Sequence, residues 1–586
     1  MRKRQPLALM LLATAVVASC SGVAVDAAKT PPPQKIPPSC GTFDPSRVKP
    51  STQPITVVRV EPSLPPPTQL AIAACAGLHN RKAGGSVYLD SDPHDLGWLS
   101  ELGLAAAATV GGEEFLSSCV AAFPTCVRYD YAKQKALLPN VLTAAAALGA
   151  VPLDASLKPS CASPAFDAVA ELADKAPPVA TKFVFSKFGA QTTGLAMLNP
   201  GYEQSPSSPK SPALNQEMRP ALVDLVFSEK LFVVFLVNGC IDGDPDREAL
   251  SSVVNSGQWP TPLPVYGYNN SWNVFGGYLY EAQTLCLPSR NMGAVASEAG
   301  NLSFFATRSP AITEAGAVVM NPAEAVTYDP QKTYVAFVVG DGDNIQYMMT
   351  TRRDWFKRRI AACDADPSAC APLTWSVSPH LTRLAPDVLR WYYDQSHRTK
   401  RDSFVLPPSG HLYAYPSSLA EKEQDRFVEA TDRDACVLGL TGVVHWDSAG
   451  TWGDAEGHFL PKYLKNGAVR GVFPVNVPFF LSPFPDWPED QFFKVMRDAD
   501  GASLALFRQR EWRGIDKEGD PFRLTPERMA AEIAAYPKGT VTWVYMTSDG
   551  GLTLENSFLA LGKLLPPHVQ LVSTDTAARL AIASRP

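Results

Sequence analysis

The sequence predicts an α/β fold, with a C-terminal (β/α) barrel-like domain preceded by a multi-part α/β N-terminal region. Two observations support this prediction. Short apolar runs typical of buried strands alternate with helical segments along most of the chain, as in parallel sheets covered by helices. From residue 331 to residue 586 this alternation is regular and long enough for a (β/α) barrel. The chain of 586 residues also has room for several domains.

Composition narrows the class of protein. Hydrophobic residues make up 46% of the chain and charged residues 19%, which excludes a wholly disordered protein. The formal net charge is −6 and there is no basic block, so we expect no nucleic-acid partner. Proline is abundant, at 53 residues, and much of the excess lies in segments 29–67 and 200–220. The remaining sequence is therefore compatible with ordinary folded domains.

The N-terminus indicates export. A short basic start and an apolar run, 7–18, predict a signal peptide over residues 1–28, and the run is too short to span a bilayer. Cys20 directly follows this run in a sequence that resembles a bacterial lipobox, which predicts a lipid anchor. Cleavage near Ala27, giving a secreted protein, is the alternative. Either route predicts an extracytoplasmic or cell-surface protein that meets a membrane only through the anchor.

The cysteine pattern fits an exported chain. Of eleven cysteines one is Cys20, and the ten that remain can form disulfides in an oxidising compartment. Cys119 and Cys126 are close enough in sequence to pair locally, as are Cys363 and Cys370, although spacing does not fix connectivity. There is no CxxC motif and no Cys–His cluster, so we expect no zinc site.

The N-terminal half divides into a Pro-rich tether, 29–54, and an α/β region, 55–330, of two or three subdomains. We expect strands at Ile55–Val60, Val87–Leu89, Lys182–Phe185 and Lys230–Asn238. We expect helices at Thr68–Asn80, Leu104–Val110, Val141–Leu148 and Ser163–Lys175. The acidic run at 242–246 lacks the glycine and glutamate of a calcium loop, so it is predicted to cap a helix that begins near Arg247.

The C-terminal half, 331–586, is predicted to form the barrel-like domain. Its expected strands are Tyr334–Val339, Leu373–Val377, Phe404–Leu406, Leu438–Val444, Val469–Val475, Thr540–Met546 and Val569–Val572. Its expected helices include Asp387–Ser396, Ser418–Ala430, Phe492–Arg497 and Arg528–Tyr536.

Carboxylates follow three of these strands. Asp341, Asp343 and Asn344 come after the first, Asp447 after the fourth and Asp549 after the sixth, and Asn344 is predicted to bind the substrate. Because ligand-binding residues of barrels lie just past the carboxyl ends of strands, we predict these aspartates as catalytic acids and bases. The carboxylates could instead hold a hard cation, and the first turn could be purely structural, with local side-chain hydrogen bonds.

Aromatic and histidine residues follow two more strand ends. The run SGHLYAYP, 409–416, contains His411, Tyr413 and Tyr415, and His445 and Trp446 precede Asp447. Aromatic rings with polar tips suit sugar binding, so these residues are predicted to line a carbohydrate site. A core corner with buried aromatics and a structural histidine is the alternative.

The same run resembles the signature of the GxGYxYP family of putative glycoside hydrolases. Gly410, Tyr413, Tyr415 and Pro416 match that signature, whereas Leu412 stands where the family name has its second glycine. The segments FVVGDGDNIQY, WSVSPHLTRLAPDVLRWYY and QLAIAACAGLHNRKAGGSVYLD are also similar to this family. The resemblance implies an exported protein with a multi-part N-terminal region and a C-terminal glycoside-hydrolase domain.

The predicted function is therefore that of an exported carbohydrate-active glycoside hydrolase. The sequence predicts no cofactor, although a divalent cation is an option. One alternative is a metal-dependent, deacetylase-like hydrolase with Asp341, Asp343 and a histidine as ligands. Another is a surface glycan-binding protein without turnover. Glu281 is a further candidate for the substrate site, with a surface helix position as its alternative.

Overall fold

Helix-flanked sheets of mainly parallel strands make up the protein, which confirms the predicted α/β class. The computed structural model describes residues 51–158, 160–198, 221–236, 238–239, 241–267, 291–314, 321, 324–367, 370–447, 452–465, 467–475, 487–488, 490–514, 522–546 and 551–585. All of these residues belong to one compact unit, Lys35–Pro586.

The N-terminal region contains three parallel sheets, with strand orders β2-β1-β3, β5-β4-β6 and β10-β9-β7-β8. The strands are β1 (Ile55–Arg59), β2 (Val87–Asp90), β3 (Ala106–Gly111), β4 (Cys126–Tyr129), β5 (Val151–Asp154), β6 (Phe166–Asp167), β7 (Gly194–Met197), β8 (Leu231–Val234), β9 (Leu263–Tyr266) and β10 (Met292–Val295). The helices are α1 (Pro66–Ala83), α2 (Asp95–Glu101), α3 (Gly112–Ala122), α4 (Tyr131–Gln134), α5 (Leu138–Leu148), α6 (Ala168–Glu171), α7 (Pro177–Phe188), α8 (Val223–Glu229), α9 (Pro245–Val254) and α10 (Leu302–Arg308).

The C-terminal region contains two sheets. Its strands are β11 (Thr333–Val339), β12 (Leu373–Ser376), β13 (Asp402–Val405), β14 (Gly442–Trp446), β15 (Gly471–Val475), β16 (Phe493–Arg497), β17 (Ser503–Phe507), β18 (Glu511–Trp512), β19 (Val541–Met546) and β20 (Val569–Val572). Its helices are α11 (Ile345–Tyr347), α12 (Arg353–Ala365), α13 (Leu381–Leu384), α14 (Pro386–Thr399), α15 (Glu421–Leu438), α16 (Trp452–Asp454), α17 (Pro526–Ala534), α18 (Gly551–Leu564) and α19 (Thr574–Ala583).

The first C-terminal sheet has the order β13-β12-β11-β19-β18, with β20 also paired to β11, and the second has the order β14-β15-β17-β16. Among the strands of the described residues, only the pair β16 and β17 is antiparallel. A bridge between Leu406 and Val443 joins the two sheets next to β13 and β14. The carboxyl ends of the parallel strands therefore lie along one edge of each sheet.

Alternate residues of several C-terminal strands meet in one apolar cluster. They include Tyr334, Ala336 and Val338 of β11, Val444 and Trp446 of β14, Phe473 and Val475 of β15, and Val541, Trp543 and Tyr545 of β19. Because successive side chains of a strand point to opposite faces, both sheets enclose this shared interior. Helix α19 packs its alanines against the same cluster. A closed ring of strands is not seen among the described residues, so the barrel remains a prediction.

Most of the predicted elements are confirmed, but four are wrong. Leu104–Val110 contains strand β3, although alanine favours helices, because its backbone pairs with β1. Lys182–Phe185 lies within helix α7. Phe492–Arg497 contains strand β16, which pairs with β17 in an antiparallel arrangement. Ser163–Lys175 holds only the short elements β6 and α6. The acidic cap is confirmed, since the Asp244 side chain accepts a hydrogen bond from the Asp246 amide at the start of α9.

Three disulfides lie wholly within the described residues. The local pair Cys363–Cys370 is confirmed. The expected pairing of Cys119 with Cys126 is wrong, because Cys119 bonds Cys75 of α1 and Cys126 bonds Cys161. Helix α3 packs on α1, which brings Cys119 to Cys75 across a sequence separation of 44 residues.

Among the described helices, none combines the length and the apolar character that crossing a membrane requires.

Candidate active site

The turn after β11 carries the first predicted carboxylates and is built tightly against β12. Asp341 has a left-handed backbone with a φ of 58°. The Gly342 amide donates a hydrogen bond of 2.9 Å to Ser376 Oγ, and a Cβ on Gly342 would lie 1.9 Å from the Ser376 carbonyl oxygen. Asn344 caps α11, its side chain accepting from the Tyr347 amide at 2.9 Å. The structure thus assigns Asn344 a capping contact.

Tyr545, on the adjacent strand β19, contacts this turn. We call Tyr545 and the carboxylates Asp341, Asp343 and Glu511 the carboxylate hub. Its hydroxyl accepts a hydrogen bond of 3.3 Å from the Asp341 amide. Burial raises the pKa of Tyr545 well above its ordinary value, and the negative charges of Asp341, Asp343 and Glu511 raise it further. The phenol therefore stays protonated at neutral pH.

Glu511 reaches this hub because of strand register. β18 runs parallel to β19 with Glu511 opposite Tyr545, so both side chains lie on the same face of the sheet. Glu511 is 1% exposed, and its Oε2 accepts from Arg513 Nε at 2.6 Å. A buried carboxylate beside a second group of carboxylates is the arrangement that two-carboxyl chemistry uses.

A buried cation lies behind the first turn. The Arg352 guanidinium lies over the rings of Tyr347 and Trp375, at 5.1 Å and 5.8 Å from their centroids. Its Nη1 donates a hydrogen bond of 2.5 Å to the Ser376 carbonyl oxygen. Burial raises the pKa of Tyr347, the charge of Arg352 lowers it and that of Asp341 raises it, so all three groups are neighbours.

The predicted aromatic residues are brought together at the ends of β13 and β14. Trp446 packs between Tyr413 and Tyr415, with ring centroids 4.3 Å and 4.8 Å away. Ser409 fixes the loop to β14, because its Oγ accepts from the Trp446 amide at 2.8 Å. Trp446 is 3% exposed, and its indole Nε1 has no hydrogen-bond partner in the part of the chain that the structure describes. These rings and Tyr545 belong to the same apolar cluster.

Strand β10 of the N-terminal region braces both loops, which the sequence did not indicate. Ala294 and Tyr413 exchange two backbone hydrogen bonds, of 3.0 Å and 2.9 Å, and the Ile345 amide donates to the Ala296 carbonyl oxygen at 2.8 Å. A Cβ on Gly293 would lie 2.7 Å from Leu412 Cβ. Leu412, which departs from the family signature, therefore packs against β10 at a position where the strand can hold only a glycine.

His445 and Asp447 form a buried pair. His445 Nε2 lies 3.0 Å from Asp447 Oδ2, and both side chains are fully buried. Asp447 also accepts from the amide and hydroxyl of Ser417. These contacts give Asp447 a role in holding the loop after Tyr415. Its predicted catalytic role stays a prediction.

His411 makes polar contacts with Asp434 and His380. Its Nδ1 is 2.7 Å from Asp434 Oδ2, and its carbonyl oxygen is 2.7 Å from His380 Nε2. Burial lowers the pKa of His380 to about 3, so that imidazole is neutral. The predicted residues Asp549 and Glu281 lie outside the described residues.

A metal site requires several ligating side chains with their ligand atoms close together in the described residues. The one triad close enough for a metal there is Cys363, Cys370 and Asp402, and its two cysteines form a disulfide. Asp341 and Asp343 do not gather with a third described ligand in this way.

Sequence reasoning missed Glu511, Tyr545 and Arg352. Glu511 lies in the run RQREWR, which resembles a solvated charged segment, and Tyr545 looks like an ordinary core residue of a strand. The one available signal was the position of both residues near the carboxyl end of a strand.

Comparison with known proteins supports the predicted family. Residues 331–478 match the model of the GxGYxYP putative glycoside hydrolase C-terminal domain. No curated protein matches the chain. A putative hydrolase from Bacteroides thetaiotaomicron has a similar fold, with a TM-score of 0.67 and 17% identity over 92% of this chain and 96% of that one. A 4-alpha-glucanotransferase from Thermococcus litoralis reaches a TM-score of 0.30, with 10% identity over 42% of this chain and 40% of that one.

Proposed function

We propose, from the match of residues 331–478 to the GxGYxYP C-terminal domain, that this chain is an exported glycoside hydrolase. The observation that carries the proposal is the position of Asp341 and Glu511 next to Tyr545, the first through its amide and the second through strand register. The negative charges of Asp341, Asp343 and Glu511 all raise the pKa of the Tyr545 phenol. Tyr545 belongs to the same apolar cluster as the packed rings of Tyr413, Tyr415 and Trp446. Carboxylates next to aromatic faces are what hydrolysis of a glycosidic bond requires.

Asp341 and Asp343 act as the central carboxylates, on one side of the scissile bond. Glu511 acts as the second carboxyl group and protonates the leaving oxygen, because it comes from another strand and faces the same hub. Asp549, directly after β19, stays the alternative for this second role. The neutral Tyr545 hydroxyl donates a hydrogen bond to the carboxylate that faces the sugar. The transition state is oxocarbenium-like, and the negative charge of that carboxylate stabilises it.

Two features support the proposed barrel fold and the proposed export of the chain. The shared interior of the two C-terminal sheets supports a barrel whose catalytic groups lie at strand carboxyl ends. The disulfides Cys75–Cys119, Cys126–Cys161 and Cys363–Cys370 support export, because disulfides persist in oxidising compartments. Secretion or a lipid anchor at Cys20 both fit this proposal.

The proposal is tested by incubating the purified chain with a panel of neutral and acidic glycans. We expect new reducing ends and a single anomer of the first product, read by NMR. Release of acetate without chain cleavage, abolished by a chelator, would favour the deacetylase-like alternative. Binding of a glycan with no product from any member of the panel would favour the glycan-binding alternative.

Trp446→Phe tests the aromatic part of the site. The indole Nε1 has no hydrogen-bond partner among the described residues, so its loss breaks no hydrogen bond there, and we assign it to a sugar hydroxyl. We expect KM to rise about tenfold with kcat nearly unchanged, as when a uniform binding contact is removed. The control is Trp543→Phe in the same cluster, whose Nε1 donates to the Arg508 carbonyl oxygen at 3.0 Å. This control should lose thermal stability and keep its KM. An unchanged KM in Trp446→Phe would contradict the assignment.

A further inference from the structure

A groove lies at the opposite end of the strands from the candidate active site. It has a volume of about 900 Å³ and is bounded by β16, by the segment 537–540 that precedes β19, by Tyr328 before β11 and by the end of α19. Because these segments mark the amino ends of β11 and β19, the groove is separate from the carboxylate hub. A ligand in this groove would not compete with substrate.

The groove carries uncompensated positive charge. Arg497, Lys538 and Arg585 are exposed, and none of them forms an ion pair with a carboxylate of the described residues. Lys494 also lines the groove, but it is neutralised by Glu456 at 2.6 Å. One acidic residue, Asp490, is among the lining residues. In a chain with a net charge of −6, this local surplus of cations attracts anions.

Half-buried aromatic rings lie between these cations. Phe492 packs on Tyr536 with ring centroids 4.8 Å apart, and the Arg585 guanidinium lies 5.9 Å from the centroid of Phe493. Rings offer an apolar face to the C–H groups of a sugar, and guanidinium and ammonium groups bind carboxylates or sulfates. The combination matches a ligand that has both kinds of group.

Other polyanions fit this surface less well. The exposed large hydrophobic residues of the described chain, Leu96, Val179, Ile241 and Leu564, lie outside the groove, so it has no exposed apolar anchor for a membrane. Single-stranded nucleic acid is bound along an extended positively charged groove. This groove offers three exposed cations in a chain with a net charge of −6, so the binding of nucleic acid is made an outcome of the test.

We propose that this groove binds a chain of acidic sugars, as an accessory site that retains an anionic polysaccharide. The choice of sugar as the ligand rests on the proposed function. The groove supplies positive charges and aromatic ring faces for binding. Hydrolysis takes place at the carboxylate hub.

The test measures binding of polygalacturonate by calorimetry to the full chain and to Arg497→Glu/Lys538→Glu. We expect the native chain to bind, with affinity falling about tenfold or more between about 0.03 M and about 0.3 M salt. The double variant should lose at least about tenfold in affinity, since two cationic contacts become repulsive. Its circular dichroism should match that of the native chain, and Lys538→Glu alone, which leaves the hydrogen bond from Arg497 to the Arg585 carbonyl oxygen in place, should also keep the native melting temperature.

The matched control is Lys422→Glu/Arg433→Glu, which changes net charge equally on the exposed face of α15 and should keep native affinity. Equal loss in both double variants would overturn the proposal, as would equal binding of the fully methyl-esterified polymer. Tighter binding of single-stranded oligothymidylate or of phosphatidylglycerol vesicles would also overturn it. Binding is scored separately from reducing-end release. Retention of polygalacturonate together with no reducing-end release from any glycan of the panel would therefore uphold the groove and reject the proposed function, and hydrolysis of a panel glycan without retention would do the reverse.

Discussion

Replacing Asp341 with asparagine is expected to lower kcat/KM on the cleaved glycan about a thousandfold. The change removes a charge that sits at the carboxyl end of β11 beside Tyr545. It leaves the backbone intact, because asparagine is among the few residues that tolerate a φ of 58°. The fold is therefore preserved, and the lost rate reports the carboxylate itself. Steady-state kinetics together with a thermal melt check both parts of this expectation.

Two further variants sharpen this prediction. Asp341→Ala should lose the same activity and, in addition, about 1 kcal/mol of stability, because alanine is strained in the left-handed region. Asp242→Asn, at a side chain that is 91% exposed, is the surface control and should keep full activity. Native kinetics in Asp341→Asn would remove Asp341 from the catalytic machinery and leave Asp343 to be tested in the same way.

Replacing Glu511 with glutamine is expected to lower kcat about a hundredfold or more on the natural glycan. A general acid donates a proton to the leaving oxygen, and glutamine has none to donate. An aryl glycoside with a good leaving group needs little protonation, so its cleavage should be almost spared. The alkaline limb of the pH–rate profile should disappear as well, because ionisation of Glu511 causes that limb. Kinetics on the two substrates across pH measure all three effects.

Arg513→Ala is the control for Glu511, because it removes the ion pair at 2.6 Å and keeps the carboxyl group. A nearby cation stabilises the ionised form, so its loss raises the pKa of Glu511. The acid stays protonated to higher pH, and the alkaline limb should move upward. Equal losses on both substrates in Glu511→Gln, with an unchanged pH profile, would show that Glu511 only supports the fold.

Local sequence patterns determined most elements of the fold. All seven residues of β11 are buried, and this continuous apolar run was enough to predict a central strand and to place Asp341 and Asp343 at its end. The rings of Tyr413, Tyr415 and Trp446 were likewise predicted to share one site. Errors arose where tertiary contacts overrode local preference, as in the alanine-rich strand β3, which pairs with β1.

The sequence by itself thus determined the α/β class, the family signature and the position of Asp341 and Asp343 directly after β11, because these depend on residues that are close together in the chain. The tertiary structure alone decided that Glu511 faces Tyr545 and that β10 braces the signature loop. It also decided that Cys119 bonds Cys75. Each of these contacts depends on the register or packing of segments far apart in sequence, and hydrophobic periodicity within one segment carries no information about its partner.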